Sequence, residues 1–327
     1  MSALDFEKPI LELESKIKEL RNFGSDKKIN IQPEIKKLEQ KLENMKNDIY
    51  ASLSDWQRVL IARHPKRPYT LDYINMIASD FVELHGDRLF ADDFALIAGF
   101  ARIDGQKVMI MGHQKGRDTN ENIMRNFGCA HPEGYRKAIR LMKLAEKFNV
   151  PVVALIDTPG AYPGVGAEER GQAQAIAENL KEMAVIKTPI ISVVIGEGGS
   201  GGAIGIGVAD RVFILQNAYY SVISPEGCAS ILWRNSVKAP DAANALKLTG
   251  EHLLKFEIVE EIIPEPPGGA HKDPEFVAIR LKETILKAIK ELVALSKEEL
   301  LNARYDRFRK IGEFSEQVTE EEKPASE

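Results

Sequence analysis

The chain has 327 residues, 44% of them hydrophobic and 28% charged, with a formal net charge of −5. This is the composition of a soluble globular protein with room for a sizeable core, and the acidic balance argues against a protein built to neutralise nucleic-acid phosphates. The opening residues MSALDFEKPI lack the charged and apolar regions of a signal peptide, and no apolar run approaches the roughly 20 residues of a membrane span, so a cytoplasmic protein without a membrane partner is expected.

Apolar residues fall at Phe6, Ile10, Leu13, Ile17 and Leu20, and again at Ile35, Leu38, Leu42, Met45, Ile49, Leu53 and Trp56. Steps of three and four with Lys and Glu between them predict two amphipathic helices. Joined by NFGSDKKINIQP, they make a helical hairpin over 1–65 that reads most simply as a packing or assembly arm. Two prolines in HPKRP, residues 64–68, break the pattern and mark a boundary, beyond which a core runs over 66–270. Within it, two apolar runs flank Asp104-Gly105, a strong hairpin signal.

Tyr135 to Phe148 has helical spacing. Then VPVVALIDTPGAYPG reads as a buried strand ending in a Pro/Gly turn, followed by an amphipathic helix over about residues 167–186. TPIISVVIGEGGSGG repeats that order 38 residues later and leads to another apolar run, RVFILQ. Strands that alternate with helices and end in Gly-rich loops predict an α/β core with parallel pairing. Ser224 is placed as an N-cap, with Pro225 at the first helical position and Glu226 in the first turn. Residues 271–313 read as C-terminal helices and the acidic tail 314–327 as disordered.

Chemistry concentrates in VVIGEGGSGGAIGIG, residues 193–207, where only Glu197 and Ser200 carry side chains that ordinarily do chemistry. Gly196, Gly198 and Gly201 fit the dinucleotide fingerprint, but the following run RVFILQNAYYS lacks the acidic residue that pattern requires. Gly198, Ser200 and Gly202 fit a nucleophile elbow, for which Asp210 or Asp241 with His252 or His271 would complete a triad. In the third reading Gly201 and Gly202 donate backbone N–H groups to a developing negative oxygen, their missing side chains letting a carbonyl approach. One such donor is worth about 3 kcal/mol in a transition state.

The chain has no GxxxxGK[ST] loop for ATP. LMKLA resembles a biotin-bearing lysine motif, but Lys143 falls inside an amphipathic helix rather than at a hairpin tip. Cys129 and Cys228 are the only cysteines and the six histidines are scattered, so no metal site is expected.

MRNFGCAHPEGYRKAIRLMKLAEKF, DTPGAYPGVGAEERGQAQAIA, GEGGSGGAIGIGVAD and YSVISPEGCASILW, in this order, closely resemble the α subunits of bacterial acetyl-CoA carboxylase carboxyltransferases, and IIPEPPGGAHKDP is similar to the same family's C-terminal segment. The resemblance runs from the first helix to about Leu295. It implies a crotonase-like (ClpP/crotonase) α/β fold, a superhelix of ββα turns, with α and β subunits in an α2β2 assembly and active sites at their interface. The implied reaction moves a carboxyl group from carboxybiotin, carried on a separate biotin carboxyl carrier protein, to acetyl-CoA, giving malonyl-CoA for fatty-acid synthesis. By the same resemblance Gly201 and Gly202 form the oxyanion hole for the biotin ureido oxygen, the β subunit supplies the hole for the thioester, and no protein side chain need act as base.

Gly198, Gly199 and Ser200 are expected to contact the cofactor around that hole, and Gly160, Pro163 and Gly164 of DTPGAYPG to line the same cavity. Arg117, Arg125, Arg136 and Lys137 are candidates for the CoA phosphates or the transferred carboxylate. The family's zinc ribbon lies in the β subunit and its ATP is used by the separate biotin carboxylase, so this chain is expected to bind neither metal nor ATP.

Overall fold

The computed structural model describes residues 4–27 and 32–312. The tail over 314–327 and the centre of the predicted interhelical loop lie outside the described residues.

Among the described residues the core is one mixed sheet of eight strands: β1 (Ser79–Glu83), β2 (Leu96–Ile103), β3 (Gln106–His113), β4 (Val152–Thr158), β5 (Ile190–Gly199), β6 (Arg211–Leu215), β7 (Tyr219–Ser221) and β8 (Glu261–Ile263). Their order is β1-β2-β3-β4-β5-β6-β8, with β7 paired to β5 beyond the end of β6. β1, β2 and β3 pair antiparallel, while β3 through β6 and β8 run parallel, as the alternation of strands and helices predicts. The β2–β3 hairpin turns at Asp104 (φ 45°) and Gly105 (φ 83°). Two positive φ values give the twist that two-residue hairpins need.

β4 and β5 are buried along their whole lengths, which is why they read as unbroken apolar runs rather than alternating ones. Helix Pro132–Lys147 packs on β2 and β3 and against helix Gln172–Met183, while helix Pro274–Leu292 packs on β5, β8 and helix Thr70–Ile77. The single helix expected over 167–186 is two, Val165–Glu169 and Gln172–Met183, interrupted where Gly171 takes φ 81°. At the C-terminus, helix Lys297–Arg309 restarts after Pro274–Leu292 behind a reciprocal Ser296/Glu299 capping box.

The N-terminal helices are Lys8–Lys27 and Gln32–Ala51. The second does not run on to Trp56: Ser54 starts a separate helix, Asp55–Ala62, through a capping box with Gln57. That helix enters the core through Val59 and Ile61, both 0% exposed. The HPKRP segment beyond it is pinned, because the fully buried Arg67 donates to the Ile195 carbonyl at 2.7 Å and pairs with Glu265. Segment 54–68 thus ties itself to the end of β5, where the glycine turn begins.

Candidate active site

The C-terminal ends of the adjacent strands β4 and β5 lie in register at Thr158 and Gly198. Beyond them, the turn after β5 folds directly onto the loop after β4. A Cβ on Gly199 would lie 2.1 Å from the Pro159 carbonyl oxygen, and one on Gly202 would lie 2.5 Å from the Gly160 carbonyl carbon. No side chain fits at either position, so glycine is required by close backbone approach. Gly196 answers to a different neighbour, since its Cβ would strike the Asp157 carboxylate at 2.4 Å. That contact explains part of the apparent dinucleotide fingerprint.

The chain turns sharply at Ser200 (φ 50°) into the short helix Ser200–Ile204. Its N-cap is Gly199, which has no side chain to accept a hydrogen bond. N-cap side chains ordinarily satisfy the second and third amides of a helix, here those of Gly201 and Gly202. Ser54, Asp118, Ser224, Asp273 and Ser296 do cap the helices that follow them. The glycine turn shares its lack of a capping side chain with the helices that begin after His131, Gly164, Gly171, Lys238 and Thr249; what sets it apart is that its uncapped amides lie where the loops after β4 and β5 meet.

Gly201 and Ser200 open on an apolar cleft of about 440 Å³. Ile204, Tyr220 and Val222 line it near the turn, and Phe308 of the C-terminal helix and Ile311 just beyond that helix line its far side. That wall is fixed from within: Arg304, 1% exposed, pairs with Asp210 at 2.7 Å and donates to the carbonyls of Met183, Ile186 and Thr188. Sequence reasoning missed Tyr220 and Phe308, which lie far from the glycine turn along the chain and carry no local motif.

Behind the turn lies a dense ionic cluster. Glu197 accepts from Lys115 Nζ at 2.8 Å, Arg63 Nε at 2.7 Å and the Tyr219 hydroxyl at 2.6 Å. Lys115 also reaches Asp157 at 2.7 Å, and Arg63 reaches Glu226 at 2.5 Å. Burial alone would raise the Glu197 pKa, but the charges of Lys115 and Arg63 outweigh it and hold the carboxyl at about 2. Lys115 mirrors this, its burial overcome by Asp157 and Glu197, so that it stays protonated far above neutrality. The fully buried His113 behaves oppositely, pushed down to about 3 by burial and then by the Lys115 charge.

The predicted site residues divide by position. Gly198, Gly199, Ser200, Gly201, Gly202 and Gly160 come together where the two loops touch. Pro163 is exposed farther along the β4 loop, and Gly164 packs on the Tyr162 ring. Arg117 clamps the 65–72 segment, donating to the carbonyls of Pro65 and Arg67, pairing with Asp72 and lying over the Tyr69 ring. Arg125 pairs with Glu121 and donates to the Phe94 carbonyl. Arg136 joins Asp87 and Glu133, and the buried Lys137 joins Asp92.

The partners that a Ser200 triad would need are engaged elsewhere. Asp210 holds Arg304; Asp241 and His252 share a hollow at Ser54–Trp56; His271 stacks on His64 with ring centroids 3.7 Å apart. Lys143 lies on a helix surface, paired with Glu182. Among the described residues no group of His, Cys, Asp and Glu is arranged to hold a metal ion, and no helix is long and apolar enough to cross a membrane.

Comparison with known proteins identifies the chain's relatives. Residues 3–312 match the family model for acetyl co-enzyme A carboxylase carboxyltransferase-like proteins. Acetyl-coenzyme A carboxylase carboxyl transferase subunit alpha of Methylococcus capsulatus is 58% identical over 97% of this chain and 98% of its own length. The protein of the same name from Thermus thermophilus is 55% identical over 96% of this chain and 99% of its own length. Among solved structures, the transcarboxylase 12S core, with methylmalonyl-coenzyme A and methylmalonic acid bound, superposes with a TM-score of 0.57 at 23% identity, over 70% of this chain and 43% of that one. A Pseudomonas malonate decarboxylase heterotetramer in complex with coenzyme A gives 0.53 at 16% identity, over 66% of this chain and 87% of that one. The fold is that of the crotonase-like carboxyltransferases.

Proposed function

Because the chain belongs to the acetyl-coenzyme A carboxylase carboxyltransferase α-subunit family, we propose that it moves a carboxyl group from carboxybiotin to acetyl-CoA, giving malonyl-CoA for fatty-acid biosynthesis. The observation that carries the site assignment is the uncapped helix start at Gly201 and Gly202, beside an apolar cleft.

The residues present fit the group. Gly201 presents bare backbone where the turn opens on the cleft, and the Gly201 and Gly202 amides, which no capping side chain satisfies, are donors suited to an oxygen that gains charge. Bound carboxybiotin supplies the transferable carboxyl group and a ureido oxygen that becomes more negative as that group leaves. The Gly201 and Gly202 amides donate to that oxygen, each worth about 3 kcal/mol if held in place before the reaction. The apolar side chains of Ile204, Tyr220 and Phe308 exclude water and so strengthen those bonds.

Gly199 and Gly202 let the two loops close on each other, while Gly198 lies against Tyr219 and Tyr220 of β7; Ser200, at the cleft wall, would contact the cofactor, and Gly160, Pro163 and Gly164 would meet it from the loop after β4. In this reading the four basic candidates act mainly by bracing the loops around the site, since each is already paired within the chain. The chain works as one subunit of a larger complex. We place a zinc-ribbon β subunit opposite it in an α2β2 assembly, a biotinyl carrier protein delivering the cofactor, and a separate ATP-using biotin carboxylase, all in the cytoplasm.

The test is carboxyl transfer in reverse, from malonyl-CoA to biocytin, by this chain alone and mixed with its cognate β subunit. Activity in the mixture only is expected. A mixture that assembles and stays inactive would overturn the assignment.

A further inference from the structure

We propose that Glu197 is a positioning residue for carboxyl transfer: its carboxylate, held by Lys115, Arg63 and Tyr219, fixes the turn that aims the Gly201 and Gly202 amides. The inference rests on the function proposed above and adds to it a side-chain requirement that the glycines alone do not reveal.

A stretch as glycine-rich as residues 196–202 has little conformational preference of its own. Its hold must come from outside, and Glu197 is where that hold is applied. The Glu197 backbone N–H donates to Asp157 Oδ1 at 2.9 Å, and the residue pairs with Tyr219 in the β5–β7 register. The side chain then takes three further hydrogen bonds, from the chain just beyond β3 (Lys115), the C-cap of helix Asp55–Ala62 (Arg63) and β7 (Tyr219). Asp157 at the end of β4 shares Lys115 with it. Elements distant in sequence thus converge on one carboxylate, four residues before Gly201.

A purely structural role is a poor account of this cluster. Gathering buried cations and carboxylates gains little stability over apolar side chains of similar volume, because each charge must be desolvated. What the cluster adds is directional: three donors of fixed position, two of them charged, meet one carboxylate and leave it little freedom. The side-chain exposures are 9% for Glu197 and 13% for Lys115, so water competes little for these bonds. Ser200, held at φ 50°, is the strained step between this anchor and the amides, and it persists only if the flanks are fixed.

The experiment uses the assembled complex with the cognate β subunit and the malonyl-CoA-to-biocytin reaction. Glu197→Gln keeps the shape and removes the charge. We expect kcat to fall by about 10- to 100-fold, as for a displacement of catalytic groups on the ångström scale, with KM for malonyl-CoA within about twofold of wild type. Lys115→Met combined with Glu197→Gln should be no worse than the worse single variant, because residues acting as a unit are not additive. Tyr219→Phe deletes two hydrogen bonds, the one the hydroxyl donates to Glu197 and the one it accepts from Arg63, without touching charge, and should lower kcat by about three- to tenfold with the complex still assembled; it decides the matter if Glu197→Gln fails to assemble. An assembled Glu197→Gln complex with wild-type kcat, or a kcat unchanged in Tyr219→Phe when only that variant assembles, overturns the proposal. An inactive wild-type complex overturns the proposed function with it, so the two failures are distinct.

Discussion

Replacing Gly202 by alanine places a methyl carbon 2.5 Å from the Gly160 carbonyl carbon and 2.6 Å from the Ala161 nitrogen. Both are backbone atoms of the loop after β4, so neither can rotate aside as a side-chain terminus would. Relief requires the two loops to part by most of an ångström. Overpacking of this kind costs about 1–3 kcal/mol of stability, and moving an oxyanion donor off its target costs about 100-fold or more in rate. Gly201 is the internal control, because its Cβ would find Ile176 Cδ1 at 3.5 Å, an ordinary contact. Gly201→Ala should therefore fold and assemble normally and keep kcat within about tenfold, the amide being retained. The assay is malonyl-CoA-dependent carboxylation of biocytin by the complex, with assembly checked by size-exclusion chromatography and stability by thermal unfolding. A Gly202→Ala complex that assembles and turns over at the wild-type rate would refute the argument, as would an equal loss in both variants.

Three other outcomes follow from the same structure. Arg304→Met strands Asp210 beneath the C-terminal helix and should cost about 3–5 kcal/mol in urea unfolding; a loss below 1 kcal/mol would mean that the pair does not hold the cleft wall. His113 has a folded-state pKa near 3 against an ordinary 6.5, so between those values the unfolded chain binds the extra proton and stability falls as pH is lowered. His113→Leu should therefore flatten the stability–pH slope between pH 6 and 4 by up to about 1.4 kcal/mol per pH unit, and an unchanged slope would contradict the assignment. Ser200→Gly relieves the positive φ and should leave transfer within about tenfold of wild type, with no labelling of the wild-type chain by a fluorophosphonate probe; labelling of Ser200 would revive a nucleophilic role.

What the sequence made legible was local. Asp104-Gly105 defined its hairpin because two successive positive-φ residues leave few alternatives, and Ser224-Pro225 marked a helix start because capping is a short-range matter. The glycine turn was readable for a similar reason, since glycine at that density after an apolar strand needs a close neighbour. Which neighbour was not readable: Pro159 and Gly160 abut Gly199 and Gly202 only through the β4–β5 register. Gly171 was hidden because one glycine inside an amphipathic pattern is compatible with either a continuous or a broken helix. The basic residues misled by their spacing. Arg136 and Lys137 look like a free cationic face, yet their partners Asp87 and Asp92 lie about 45 residues earlier, beyond the reach of any helical periodicity. Tyr220, Phe308 and the ionic cluster around Glu197 were invisible for the same reason, as each depends on chain segments that meet only in the folded core.

The most direct measurement is a crystal structure of the complex with the cognate β subunit and biocytin, read for the position of the ureido oxygen. The account predicts that oxygen about 2.7–3.1 Å from the Gly201 and Gly202 amide nitrogens, with the ring system in the cleft lined by Ile204, Tyr220 and Phe308. A ureido group bound away from the glycine turn, or one whose oxygen is held by side chains alone, would contradict it.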